Sequence, residues 1–298
     1  MDEIYDKITS DNEKKVLTYN YVLNVFRNFL SGIDIDKIKT YISEFRKENF
    51  KELSQKEISE KIDAILQNNR KSKIPLLRER KIYEKGTLFY RVRDLPESKH
   101  VCITPLPEIK EENDLWNPPI DKCKAGRLNK KGESLLYLTP NDRYVAVEEK
   151  KIEDDDNFVM IVYEAVEDII ITPIGLNPSF EGLTEEECCK LSIIIFFLKD
   201  EFTRNVETNS EYLYSITEII TKRYFGIPSN ISDGWDYPSI VDLGSKNVCL
   251  YPDKAKNKLV MKYFLLCSKR GKNKEMEIHE KYICILENNE FIYHPCSP

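Results

Sequence analysis

Leu88-Phe89-Tyr90-Arg91 opens a stretch that continues through Gly126-Arg127-Leu128-Asn129 and Leu135-Leu136-Tyr137-Leu138 and closes on Ala146-Val147-Glu148-Glu149. From Gly86 onward the apolar period shortens from the helical spacing to the alternation of strands. Strands are expected at Thr87–Arg93, Leu135–Thr139, Phe158–Tyr163 and Asp168–Thr172. Glu149, with Val145 and Ala146 on its side of a helix, is expected to point inward. Tyr137 alternates with Leu136 and Leu138 and so faces the other side of its strand, toward core or pocket. By the same alternation Tyr90 faces away from Arg91 and packs, whereas Arg93 shares the Arg91 face as a weaker candidate.

Outward from this stretch the chain changes character. Residues 1–75 read as a helical domain: Ser10 or Asp11 caps a first helix carrying Val16, Leu17, Tyr21, Val25 and Leu30, and Gly32 ends it. A second helix is expected from Asp36 to Asn49 through Ile38, Tyr41, Ile42 and Phe45. Ser54-Gln55-Lys56-Glu57 spells a capping box before Ile58, Ile62, Ile65 and Leu66. Arg70 to Lys81, broken by Pro75, reads as a linker to a second domain over 76–298. There Thr184-Glu185-Glu186-Glu187 opens a helix whose Ile193–Leu198 run is apolar all round and so is expected to be buried on most of its surface. A further helix is expected over Tyr212–Tyr224. Beyond 254 an antiparallel meander follows, Leu259–Cys267 and Glu275–Leu286, then Phe291–His294. The long irregular segment Pro105–Pro119 has the length of a lid; its Trp116 either stacks on a ligand base or, as we prefer, anchors the loop.

Composition narrows the function classes. The 298 residues are 41% hydrophobic with a net charge of −6 and interspersed signs, which is ordinary for a globular chain and gives no field for direct nucleic-acid binding. In the helical segment Lys14, Lys15, Lys37 and Lys39 are offset by Asp11, Glu13, Asp34 and Asp36. The eight cysteines lack paired zinc spacing, no signal peptide precedes the first helix, and no apolar run approaches the roughly 20 residues of a membrane span. A soluble, cytoplasmic protein with reduced thiols is expected. No metal is expected either: Glu153-Asp154-Asp155-Asp156 reads as a solvated turn, and His100, His279 and His294 lie far apart. No glycine-rich phosphate loop is present.

Two pieces downstream complete an ordered set: Trp235-Asp236-Tyr237-Pro238-Ser239 and Asn247-Val248-Cys249-Leu250. Arginine, Gly-Arg-x-Asn, tyrosine, Ala-x-x-Glu, Tyr-Pro-Ser and Asn-x-x-Leu, in that order over Gly86–Asp253, resemble the RES domain family. Leu128 departs from the usual aromatic at its position, and the Arg91–Arg127 interval is long. The resemblance implies an α+β, ADP-ribosyltransferase-like fold and an enzyme that cleaves the nicotinamide–ribose bond of NAD. It further implies a bacterial toxin paired with a helix-turn-helix antitoxin. Such chemistry needs planar guanidiniums for a diphosphate, a ring for nicotinamide, and a carboxylate beside a sugar that becomes cationic. By resemblance, Arg91 and Arg127 are the phosphate and ribose clamps, Tyr137 stacks on nicotinamide, and Glu149 stabilises the ribosyl cation. Ser239 orients Glu149 or the ribose. Each has a plainer reading: a strand-end arginine in a surface ion pair, a core tyrosine, a serine satisfying backbone. Asn247 is read as structural, and Glu148 as the solvated neighbour of Glu149. Phosphate or water is the expected acceptor. Transfer of ADP-ribose to a macromolecule is the nearest alternative. From another class comes a non-enzymatic NAD sensor or partner-binding module governed by the N-terminal helices, with homo-oligomerisation open.

Overall fold

A computed structural model describes residues 23–73, 80–175, 181–207, 209–226, 231–242, 244–272, 275–288 and 290–296. The expected caps Ser10 and Asp11, the apolar positions Val16, Leu17 and Tyr21, and Pro75 lie outside them. The chain is mixed α/β and divides into two compact units, one discontinuous in sequence.

The helical unit comprises Met1–Arg78, Gly175–Glu201 and Ser215–Gly226. Its described part begins with helix α1 over residues 23–30, which buries Phe26, Phe29 and Leu30. Helix α2 (Ile35–Phe45) starts at Asp34, whose carboxylate accepts from the Lys37 amide at 3.0 Å, and buries Ile38, Ile42 and Phe45. Helix α3 (Gln55–Leu66) carries the expected capping box: Glu57 accepts from the Ser54 amide at 2.8 Å while the Ser54 hydroxyl accepts from the Glu57 amide. Most of helix α5 (Glu185–Thr203) and of helix α6 (Tyr214–Tyr224) belongs here too, so the unit is not the contiguous segment 1–75. Phe197 meets the ring of Phe45 edge-on at 5.3 Å, and the Tyr224 hydroxyl donates to Asp63 at 2.6 Å. The apolar run in α5 is buried on most of its surface, as expected: Ile194, Ile195, Phe197 and Leu198 are enclosed, while Phe196 is 63% exposed.

The sheet unit comprises Glu79–Ile174, Phe202–Tyr214 and Ile227–Pro298. Its first strands are β1 (Lys81–Tyr83), β2 (Leu88–Asp94), β3 (Leu136–Pro140), β4 (Asn157–Ala165) and β5 (Ile169–Pro173). Then come β6 (Gly234–Pro238), β7 (Lys246–Leu250), β8 (Leu259–Lys272), β9 (Glu275–Glu287) and β10 (Glu290–Pro295). Helix α4 (Arg143–Lys150) follows β3, and α7 (Pro252–Lys258) precedes β8. The four strands expected around the opening stretch form within a residue or two of their expected bounds. So do the last two strands of the C-terminal meander, whereas its first, expected to end at Cys267, runs on to Lys272. The lateral order is β1-β5-β6-β7-β3-β2-β4-β8-β9-β10, with β5 and β6 parallel and the other described pairs antiparallel.

One face of the β2-β4-β8 half buries Phe89, Val159, Ile161, Tyr163, Phe264 and Leu266 under Leu95, Leu106, Ile109, Leu115 and Trp116. The long 95–119 segment is therefore core rather than lid: its apolar residues cover a sheet face that would otherwise meet water. Trp116 anchors it, with its indole donating to Glu112 at 3.1 Å and its ring 5.0 Å from Tyr163. On the opposite face Val147 of α4 and Ile152 pack with Phe158, Met160, Leu265 and Cys267. Among the described residues no helix is long and apolar enough to cross a membrane.

Gly234 sits where β6 crosses β7, and a Cβ there would lie 2.0 Å from the Cys249 carbonyl oxygen. Neither backbone can yield without breaking the ladder. Gly234→Ala should cost about 3 kcal/mol or more, read as a lowered midpoint in urea denaturation.

Candidate functional site

Strands β2 and β3 pair through only Phe89↔Pro140 and Tyr90↔Thr139. Beyond that point β2 follows β4 and β3 follows β7, so a gap opens in the sheet at Arg91. Helix α4 follows β3 after one tight turn, with Asn141 at φ 60° and Asp142 as the cap, accepting from the Tyr144 and Val145 amides at 2.8 and 3.1 Å. Its last turn brings Ala146, Glu149 and Lys150 to the gap.

The result is a cleft of about 290 Å³ lined by Tyr90, Arg91, Tyr137, Glu149, Tyr237 and Asn247, among others. A second cavity of about 240 Å³, reaching Gly126, Asn129 and Cys123, shares Arg91 and Tyr137 with it. Three of the residues singled out in the sequence, Arg91, Tyr137 and Glu149, thus line one cleft. Tyr90 also lines it, while packing as expected on the opposite face of β2 from Arg91, against the cluster of Phe158 and Met160. At an edge that has lost its neighbour, side chains from both faces of β2 reach the opening.

Glu149 is half-buried and held firmly. Its Oε1 accepts from the Ser239 hydroxyl at 2.5 Å and from the Ile240 amide at 3.0 Å. Among the described residues Oε2 accepts no hydrogen bond. Ser239 is fully buried just past the end of β6, and its oxygen accepts from the Val241 and Asp242 amides, each at 3.2 Å. With two amides directed at it, the hydroxyl is left to donate, and the carboxylate takes that donation. Glu148, by contrast, faces out toward Lys269 at 3.5 Å.

Arg91 donates to the Leu115 carbonyl at 3.1 Å, and the Tyr163 hydroxyl bonds the same oxygen. Burial lowers the guanidinium's pKa; the Tyr163 hydroxyl opposes this and the neighbouring Arg93 adds to it. Arg93 lies on the same face and donates to the Asp114 carbonyl at 2.6 Å. Among the described residues no carboxylate stands within ion-pair distance of Arg91. Asp94 adds a smaller stabilising charge, and a partly buried guanidinium of this kind can accept an anion that enters beside it.

Tyr137 has two tasks. Its ring lines both cavities and meets Tyr237 edge-on at 6.4 Å. Its hydroxyl accepts from the Leu128 amide at 3.0 Å and donates to Asn129 Oδ1 at 2.7 Å. The Asn129 amide nitrogen in turn donates to the Lys124, Lys130 and Glu133 carbonyls. Gly126 is required because a Cβ there would lie 2.6 Å from Asn129 Oδ1 and 3.1 Å from the tyrosine oxygen. The Gly-Arg-x-Asn turn is thus tied to the tyrosine. Burial, then Cys249, pushes the Tyr137 hydroxyl well above the usual phenol range, so it stays a neutral donor.

Arg127 is placed differently from Arg91. It lines neither cavity; its guanidinium donates to the Arg204 carbonyl at 2.8 Å and lies 5.8 Å from the centre of the Tyr214 ring. It is still near the site. Tyr237 is raised well above the phenol range by burial, with Cys249 and then Glu149 adding to the shift and Arg127 opposing it. Asn247 accepts from the Thr139 hydroxyl at 3.0 Å, across β3 and β7. Tyr237 and Lys150 are lining residues that the sequence reading did not single out. Tyr237 was legible only as the residue before Pro238, and Lys150 only as the neighbour of Glu149. Among the described residues no group of three or more His, Cys, Asp or Glu side chains could hold a metal ion. Asp156 of the acidic run is buried in an ion pair with Lys99 at 3.0 Å.

No family model matches the chain, and neither a curated protein nor a solved structure matches it.

The hydroxyl of Tyr137 is testable separately from its ring. In Tyr137→Phe the Leu128 amide and Asn129 Oδ1 lose their partner, at about 1–3 kcal/mol. Hydrogen exchange at Leu128 should accelerate by roughly tenfold or more while β3 stays protected.

Proposed function

We propose that this chain cleaves NAD between nicotinamide and ribose, passing the ADP-ribosyl group to phosphate or water. The observation that carries the proposal is the Glu149 carboxylate, fixed through one oxygen by Ser239 and Ile240 and lining the same cleft as Arg91 and Tyr137. The ordered motif set that resembles the RES family supports it independently, since the serine and the glutamate of that set are 90 residues apart and meet at 2.5 Å.

In this scheme the glycosidic electron pair leaves with the nicotinamide nitrogen, neutralising the pyridinium, and positive charge develops on the ribose. Glu149, preorganised by two donors, stabilises that charge without having to reorganise. Its unbonded Oε2 can accept from the ribose hydroxyls. Arg91 provides the planar donor for the diphosphate. The Tyr137 ring offers a face or an edge to nicotinamide. Arg127 contributes positive potential from beside Tyr237 rather than a direct clamp. Two adjoining cavities that share Arg91 and Tyr137 suit an elongated ligand bound across a waist. We further infer that the sheet unit is an ADP-ribosyltransferase-like fold of the RES type, whose split sheet forms the cleft. Neutralisation by a helix-turn-helix protein and a cytoplasmic setting belong to the same proposal.

Purified full-length protein incubated with NAD should release free nicotinamide, with ADP-ribose formed in phosphate-free buffer and its phosphorylated form in phosphate. Glu149→Gln should lower kcat about 100-fold or more. Ser239→Ala, which removes one charge-assisted bond to the carboxylate, should lower it about tenfold. Arg91→Ala should act mainly on KM. Absence of nicotinamide release by the parent, or release by Glu149→Gln at the parental rate, defeats the proposal.

A further inference from the structure

The two edges of the sheet differ. β1 is three residues long, begins with Lys81 and is followed closely by Lys85, the short and charged form that discourages pairing. β10 is six residues long, contains no lysine, and pairs with β9 without a bulge. The Cys296 amide donates to the Lys281 carbonyl, continuing the β9–β10 register. Even-numbered residues of β10 therefore turn their amides and carbonyls toward β9, and Phe291 and Tyr293 turn theirs outward. Among the described residues no backbone group meets that outward row.

Side chains alternate in step. Phe291 and Tyr293 lie toward the core, 5.2 and 6.0 Å from the Phe264 ring. Glu290, Ile292 and His294 are exposed, Ile292 by 39%. Glu290 stands directly across from Glu287. Among the described residues neither has an ion-pair partner, and like charges so placed repel.

We infer that β10 is a self-association edge, at which a second copy of this chain pairs antiparallel about Ile292. Only registers that join outward-facing residues allow a ladder. With Ile292 opposite Ile292 of the second copy, Phe291 and Tyr293 exchange backbone bonds with Tyr293 and Phe291 of that copy. The same register sets Glu290 against His294 of the second copy, twice by symmetry. The imidazole N–H then relieves the repulsion between Glu287 and Glu290, and the two isoleucines cover each other. Shifting the axis toward Pro295 would place a residue without an amide in the ladder. Sequence complementarity thus selects one register and one occupant. The pairing is independent of the chemistry proposed for the cleft.

Sedimentation velocity on the full chain, up to about 100 µM because a small interface binds weakly, should show a concentration-dependent dimer. Ile292→Lys should shift the dissociation constant at least tenfold upward. Glu290→Lys should weaken the dimer while leaving thermal stability equal or higher, because it removes the clash with Glu287. Adding His294→Glu should restore association. Ile292→Cys should form a disulfide-linked dimer under mild oxidation that the parent does not. A parent that stays monomeric throughout, or an Ile292→Lys protein that dimerises like the parent, overturns the inference.

Discussion

The early parting of β2 and β3 is the constraint on which the site depends. Two residue pairs hold the halves of the sheet together, and the strand immediately beyond them carries Arg91. Had the ladder continued, Arg91 would face Leu138 across a closed sheet and no ligand could approach it. On their other edges β4 pairs with β2 along its whole length and β7 pairs with β3 from Leu136 to Leu138, so both strands stay anchored where they diverge. The backbone groups aimed into the gap have no ladder partner and are left for solvent or a ligand to meet.

Electrostatics inside that opening is asymmetric. The anion, Glu149, is fixed by donors from the β6–β7 connection, and the cation, Arg91, donates to the Leu115 carbonyl of the 95–119 segment. They line the same cleft without forming an ion pair. Each keeps a separate hydrogen-bonding environment, and each has unused capacity directed at what enters. An anion and a cation kept apart in one cleft suit a ligand that is itself divided, anionic at one end and cationic at the other, as the NAD proposed above is.

Strands β2 to β5 and the C-terminal meander were legible as short alternating or continuous apolar runs, the latter in β4, which is buried almost throughout, and the capping box at Ser54 was spelled out in four residues. The tertiary company of α5 was not. Its apolar run announced burial, yet which side stays wet, as at Phe196, is decided by the helices that pack on it. Alternation placed Tyr90 on the packed face opposite Arg91, and what it could not show is that both residues line one cleft where the strands part. At the site, residue types at fixed order marked Arg91, Tyr137, Glu149 and Ser239, but chemistry by type could not separate Arg91 from Arg127. That difference comes from Arg204 and Tyr214, both far downstream in sequence, which draw the second guanidinium aside.

Tyr137 shows how closely the architecture and the site are joined. Its hydroxyl organises the 126–129 turn and its ring walls both cavities, so one residue type meets two demands that a phenylalanine or a serine would each meet in half. The buried hydroxyl remains protonated and must both donate and accept; Asn129 and the Leu128 amide fill those roles. Gly126 then becomes obligatory because the staple leaves no room for a Cβ. The Gly-Arg-x-Asn spelling is on this account a packing requirement of the wall, which carries Arg127 with it. A motif can therefore persist around a pocket for reasons of enclosure, with only some of its members facing the ligand.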